Sequence, residues 1–121
     1  MSTSLDSALD RAHSFVDDWD AGAKTNGGLC FDLMMLLTAD HIDAVIAALY
    51  AEVRTMLLEY LREWIGDETA PLPQGEIREY GSIARGSEAE NAARIARESA
   101  YFHAEIVPPV RAWLTRHPDA R

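Results

Sequence analysis

Between Thr38 and Trp64 the chain runs TADHIDAVIAALYAEVRTMLLEYLREW, with neither glycine nor proline. Ile42, Ile46, Leu49, Val53, Met56/Leu57, Tyr60 and Trp64 recur at steps of three and four, which lines one face of an α-helix. Asp43, Glu52, Arg54, Glu59, Arg62 and Glu63 take most of the other positions. Read as one helix, this stretch is a rod of about 27 residues and roughly 40 Å. A compact chain of 121 residues has a radius of gyration of about 14 Å. Such a rod spans the molecule, and the remaining segments must pack along it.

Those segments are also helical in pattern. The sequence predicts an all-α fold, a small helical bundle of about four helices around one long central helix, in a single domain 1–121. Helices are expected over 4–20, 29–37, 38–65, 87–107 and 109–117, with a long irregular loop at 66–86. Ser4 is a natural N-cap, followed by an apolar stripe of Leu5, Leu9, Ala12, Phe15/Val16 and Trp19. Asp17, Asp18 and Asp20 gather at that helix's C-terminal end, where the dipole disfavours them. Ala21–Gly28 reads as a flexible turn. Leu29–Leu37 is too apolar to be exposed, and plugs the core or continues into the long helix. Ser87 and Glu90 form a capping box ahead of a small-residue face of Ala89, Ala92/Ala93, Ala96 and Ala100 that allows close helix approach. Pro108 and Pro109 lack backbone donors and interrupt that helix before the final short one. The 66–86 loop is expected to cross the core through Leu72, Ile77, Tyr80 and Ile83, with a binding role as the alternative.

Charge narrows the partners. Twenty acidic residues against 11 basic ones give a net charge of −9. That field repels nucleic-acid phosphates and anionic lipid, and favours a basic partner surface. No nucleic acid and no membrane are expected as partners. The region of opposite sign is the tail, with Arg111, Arg116, His117 and Arg121 against Asp119. Cys30 is the sole cysteine, which rules out an intrachain disulfide and a cysteine-built zinc site. It lies in an apolar run and reads as a buried small hydrophobe. No secretory signal is visible, and the apolar run Ala44–Ala51 is far too short for a membrane span, so the expected location is cytoplasmic.

Two motifs resemble known catalytic families. Arg97 and His103 form R-x5-H on a late helix, which resembles the spacing of HEPN-type ribonucleases, metal-independent enzymes whose arginine and histidine cleave RNA across a dimer cleft. The resemblance implies His103 as acid/base and Arg97 as phosphate stabiliser. Glu98 stands where that family often has asparagine, and Arg111 with His117 has the same spacing. Gly81-Ser82-Ile83-Ala84-Arg85-Gly86 resembles the GSxARG turn of minimal nucleotidyltransferases. The Asp-x-Asp pair that holds Mg²⁺ in that family is missing, and Glu88 and Glu90 diverge on a helix. Asp10 with His13, and Asp40, His41 and Asp43, have metal-ligand types but lack the Glu-x-x-His pairs of bundle metal sites. No metal and no cofactor are expected.

Three functions follow. The first is a small acidic interaction or regulatory protein without catalysis, acting through a homodimer or a partner-protein interface, as an inhibitor or immunity-like protein would. Its interface is expected at Tyr50, Leu57, Leu58, Tyr60, Leu61 and Trp64, because a helix apolar almost all round needs cover that one short chain supplies poorly. The second is the ribonuclease of Arg97 and His103. The third is a small-molecule-binding bundle with Trp19, Trp64, Tyr80 and Trp113 around a pocket and the 66–86 loop as its lid.

Overall fold

The computed structural model describes residues 4–75 and 87–121. They form six α-helices and one π-helical turn, and no strand occurs among them. The helices are α1 (Leu5–Asp20), α2 (Asn26–Met34), α3 (Ile42–Ala48), α4 (Ala51–Trp64), α5 (Glu88–Tyr101) and α6 (Val107–Arg116), with the π turn Phe102–Ile106 between the last two. The expected 66–86 loop is described as far as Gly75. The readings of Ile77, Tyr80, Ile83 and the Gly81–Gly86 turn lie outside the described residues.

The long central helix is divided. α3 ends at Ala48, and Leu49 (ψ 140°) and Tyr50 (ψ 163°) are extended before α4 begins. The division serves packing rather than propensity, since neither residue is a helix breaker. Leu49 enters the core, and the Tyr50 hydroxyl donates to the Asp20 carboxylate on α1 at 3.1 Å. The two shorter helices then meet different neighbours. α3 packs on α1 and α6, whereas α4 packs on α2. The inner stripe of α4 (Val53, Leu57, Leu61) is thereby sealed by the chain's own helices, together with Leu58. Each such leucine contributes about 1.5–3 kcal/mol of burial free energy.

The α1–α2 connection is shorter and more ordered than a flexible turn. Thr25 caps α2 by accepting from the Gly28 amide, so α2 starts ahead of Leu29 and carries Gly27 and Gly28 in its first turn. The Trp19 indole donates to Asn26 at 2.7 Å, and Lys24 pairs with Asp32 while lying over the Phe15 ring. These contacts staple the turn from both sides.

The prolines do not separate two helices. α5, the π turn and α6 are consecutive in one helical run. Pro108 and Pro109 have no N–H, and in an α-helix their rings would press on the carbonyls one turn back. The widened turn relieves that crowding, and the Val107 amide bonds to Phe102, five residues back. Ala89, Ala92, Ala93, Ala96 and Ala100 on α5 are exposed, so the close helix approach expected of that face is not seen among the described residues.

Gly66 ends α4 in the left-handed region (φ 75°), where a Cβ would stand 2.7 Å from that of Ala70. Gly75 has a similar φ of 83° with open space around it. Gly66→Ala is therefore expected to lower stability more than Gly75→Ala, whose cost is the dihedral alone at about 1–2 kcal/mol. Urea denaturation of the two variants checks the order.

Candidate functional site

The six residues expected at an interface divide into two sets. Leu57, Leu58 and Leu61 are 0% exposed and belong to the chain's own core. A partner cannot reach them in the folded chain, which corrects their assignment. The reason is α2, which packs on α4 and covers that face within the chain. Tyr50, Tyr60 and Trp64 remain at the surface. Tyr50 is partly engaged through Asp20, and its phenol is pushed above the usual tyrosine value, first by partial desolvation and then by that carboxylate.

Trp64 is the distinctive residue. At the last position of α4 it is 56% exposed, and its ring lies 6.2 Å from that of Tyr60 one turn earlier. Tyr60 is half-buried and rests on the core. The pair forms an aromatic ledge with a fixed base and a free edge. Glu59, Glu63 and Glu68 are exposed on either side of it in the chain, and Asp67 is half-buried. The Asp67 carboxyl is held below its usual value, mainly by the Thr69 hydroxyl and amide that donate to it. The turn after α4 therefore keeps its negative charge. The Arg62 guanidinium donates to the His117 and Ala120 carbonyls and is not free to neutralise these acids.

Within one chain, neither arginine–histidine pair comes together. At about 100° per residue, the step from Arg97 to His103 turns through roughly 600°, which leaves the two on different sides of the helix. Arg97 is exposed. His103 is half-buried in the π turn, and its Nε2 lies 2.7 Å from the Gly75 carbonyl, an acceptor that fixes this nitrogen as a donor. The second pair fares no better. Arg111 is only 7% exposed, and its guanidinium donates to the carbonyls of Ile65, Ala70 and Pro71. It clamps the loop behind α4 onto α6, a task that its place in a basic tail did not reveal. Thr115 adds to the clamp, accepting from the Glu68 amide and donating to the Arg111 carbonyl.

The aromatic-lined pocket is not formed by its described members. Trp19 bonds Asn26, Trp64 sits by Tyr60, and Trp113 is buried with the His117 ring stacked on it at 4.1 Å. Tyr80 lies outside the described residues. Among the described residues, no group of three or more His, Cys, Asp or Glu side chains is placed to hold a metal ion, and no helix is long and apolar enough to cross a membrane. Cys30 is buried on α2, and burial pushes its thiol up to about 11.

Family models, curated proteins and solved structures were each compared with the chain, and none matches. The fold is that of a small all-α protein, and it carries an exposed aromatic ledge among acids at the end of α4.

Two outcomes are expected. Arg111→Met strands the buried Ile65 carbonyl and removes two further charged bonds, costing about 2–3 kcal/mol in urea unfolding. Cys30 contributes stability that is complete below its ordinary value of 9.0 and is lost as pH rises toward about 11, because the unfolded thiol ionises first. Cys30→Ala should therefore lose less stability than the parent chain between pH 9 and pH 11, read from denaturation midpoints.

Proposed function

We propose that this chain is a non-catalytic interaction protein that presents the end of α4 to a basic partner protein. The exposure of Trp64 carries the reading. Tryptophan and tyrosine are over-represented among residues that dominate binding energy, and a rim of opposite charge steers the encounter. Tyr60 supplies a rigid support, so little side-chain freedom is lost when the ledge is covered.

Charge favours a different protein over a second copy. In a two-fold interface the same patch lies on both sides. Glu59 and Glu63 would then face their own equivalents, and like charges brought together cost affinity. The burial argument for self-association also falls away, since the leucines of α4 are covered within one chain. A homodimer is the alternative form of this reading. An RNA-cleaving role would have to bring Arg97 and His103 together across two chains, and no observation favours it over the first reading.

The test is capture from a lysate of the source cells, with Trp64→Ala and Glu63→Lys as paired variants and light scattering on the purified chain. The parent chain is expected to retain one basic protein at low ionic strength and release it at about 0.5 M salt, where the screening length falls to a few ångströms. Both variants should lose it while their melting temperatures stay within a few degrees. Equal retention by Trp64→Ala overturns the reading, and a dimeric mass abolished by Trp64→Ala replaces the basic partner with self-association.

A further inference from the structure

A second surface gathers basic side chains. A groove with a volume of about 360 Å³ lies between α3, the first half of α4 and the C-terminal end of α6. Its walls include Asp43, Arg54, Trp113, His117 and Arg121. Two arginines and a histidine thus line it together with Asp43, in a chain whose net charge is −9.

Those arginines are unspent. Lys24 pairs with Asp32, Arg94 with Glu98, and Arg62 and Arg111 with backbone carbonyls. Arg54 is half-buried, yet it has neither a hydrogen-bond nor an ion-pair partner among the described residues, and the same holds for Arg121. A partly desolvated guanidinium with five unused donors gains from an oxyanion more than a fully hydrated one does.

The wall beside them is fixed in place. His117 Nδ1 lies 2.9 Å from the Trp113 carbonyl and donates to it, which leaves Nε2 to accept from a phosphate hydroxyl when the ring is neutral and to donate to a phosphate oxygen when it is protonated. The imidazole stacks on the Trp113 ring at an angle of 21°. The Arg62 bonds to the carbonyls of His117 and Ala120 hold the turn that carries this histidine. The groove is of a size for one small molecule.

We propose that this groove binds a small phosphate monoester that carries hydroxyl groups. Its phosphate lies between Arg54, Arg121 and His117, and a hydroxyl donates to Asp43. Arginine matches phosphate through two parallel N–H bonds, and the Asp43 carboxylate selects a ligand with a donor beside its charge. The proposal uses residues separate from Tyr60 and Trp64, and it stands or falls independently of the partner protein.

The test is a titration of the full chain, followed by proton–nitrogen correlation spectra and the Trp113 indole signal. The probes are inorganic phosphate, ribose 5-phosphate and ribose. Saturable shifts at Trp113, His117 and Arg54 are expected with phosphate, at a dissociation constant on the order of 1 mM in low salt. Ribose 5-phosphate should bind more tightly than inorganic phosphate, and ribose should leave the spectrum unchanged. Arg54→Gln should weaken ribose 5-phosphate at least about tenfold without altering the melting temperature, as the loss of a bidentate contact would. Shifts that stay linear with phosphate concentration overturn the proposal. So does an Arg54→Gln chain that titrates like the parent, or a ribose response equal to that of its phosphate.

Discussion

The buried guanidinium of Arg111 holds the second half of the molecule together. It reaches from α6 to three carbonyls of the turn after α4, at Ile65, Ala70 and Pro71. A charge this deep has no place in a core unless its donors are used. Here they are used on backbone, so the bond is indifferent to the side chains of the turn and depends only on its path. Gly66 makes that path possible by reversing the chain with a positive φ. Thr115, one turn later, accepts from the Glu68 amide of the same turn, and Arg62 donates from α4 to the carbonyls beyond α6. Two helices distant in sequence are thus joined by side chains that bond main-chain groups.

The all-α class was plain in the residues, and so were α1, with Ser4 as its cap, and the start of α5 at Ser87. The division of the central helix was not. Ile42, Val45, Ile46 and Leu49, then Val53, Leu57, Leu61 and Ile65, are all buried, and their spacing runs on through Leu49 and Tyr50 without a fault. Hydrophobic periodicity reports which residues face inward, not whether the axis stays straight. The bend is set by Leu49 and by a hydroxyl bond to Asp20, a contact across thirty positions that no local window contains. The prolines misled in the opposite sense. Their missing donors signal an interruption, but widening one turn satisfies the same constraint at lower cost.

The surface was opaque in the sequence. Trp64 shares one helical stripe and one apolar character with Leu57, and only the structure leaves it exposed. Leu57, Leu58 and Leu61 are equally apolar and adjacent, and only the placing of α2 separates core from surface. The basic groove is harder still. Arg54, Trp113 and Arg121 are far apart in the chain, and Arg111, which belongs to the same basic stretch, is absorbed into the interior. Net charge describes the whole chain without describing how Arg54 and Arg121 come to line one groove.

The π turn has a consequence for how this chain tolerates insertions and deletions. A five-residue turn holds one residue more than the helix on either side of it needs. Because the wide turn absorbs its extra residue, losing one residue there would restore α-helical spacing and leave the helix beyond it near its present phase. Trp113 and Leu114 would still face inward, but the rings of Pro108 and Pro109 would again press on the carbonyls one turn back. The spare residue at Phe102–Ile106 thus works as slack that lets two prolines sit inside a continuous helical run.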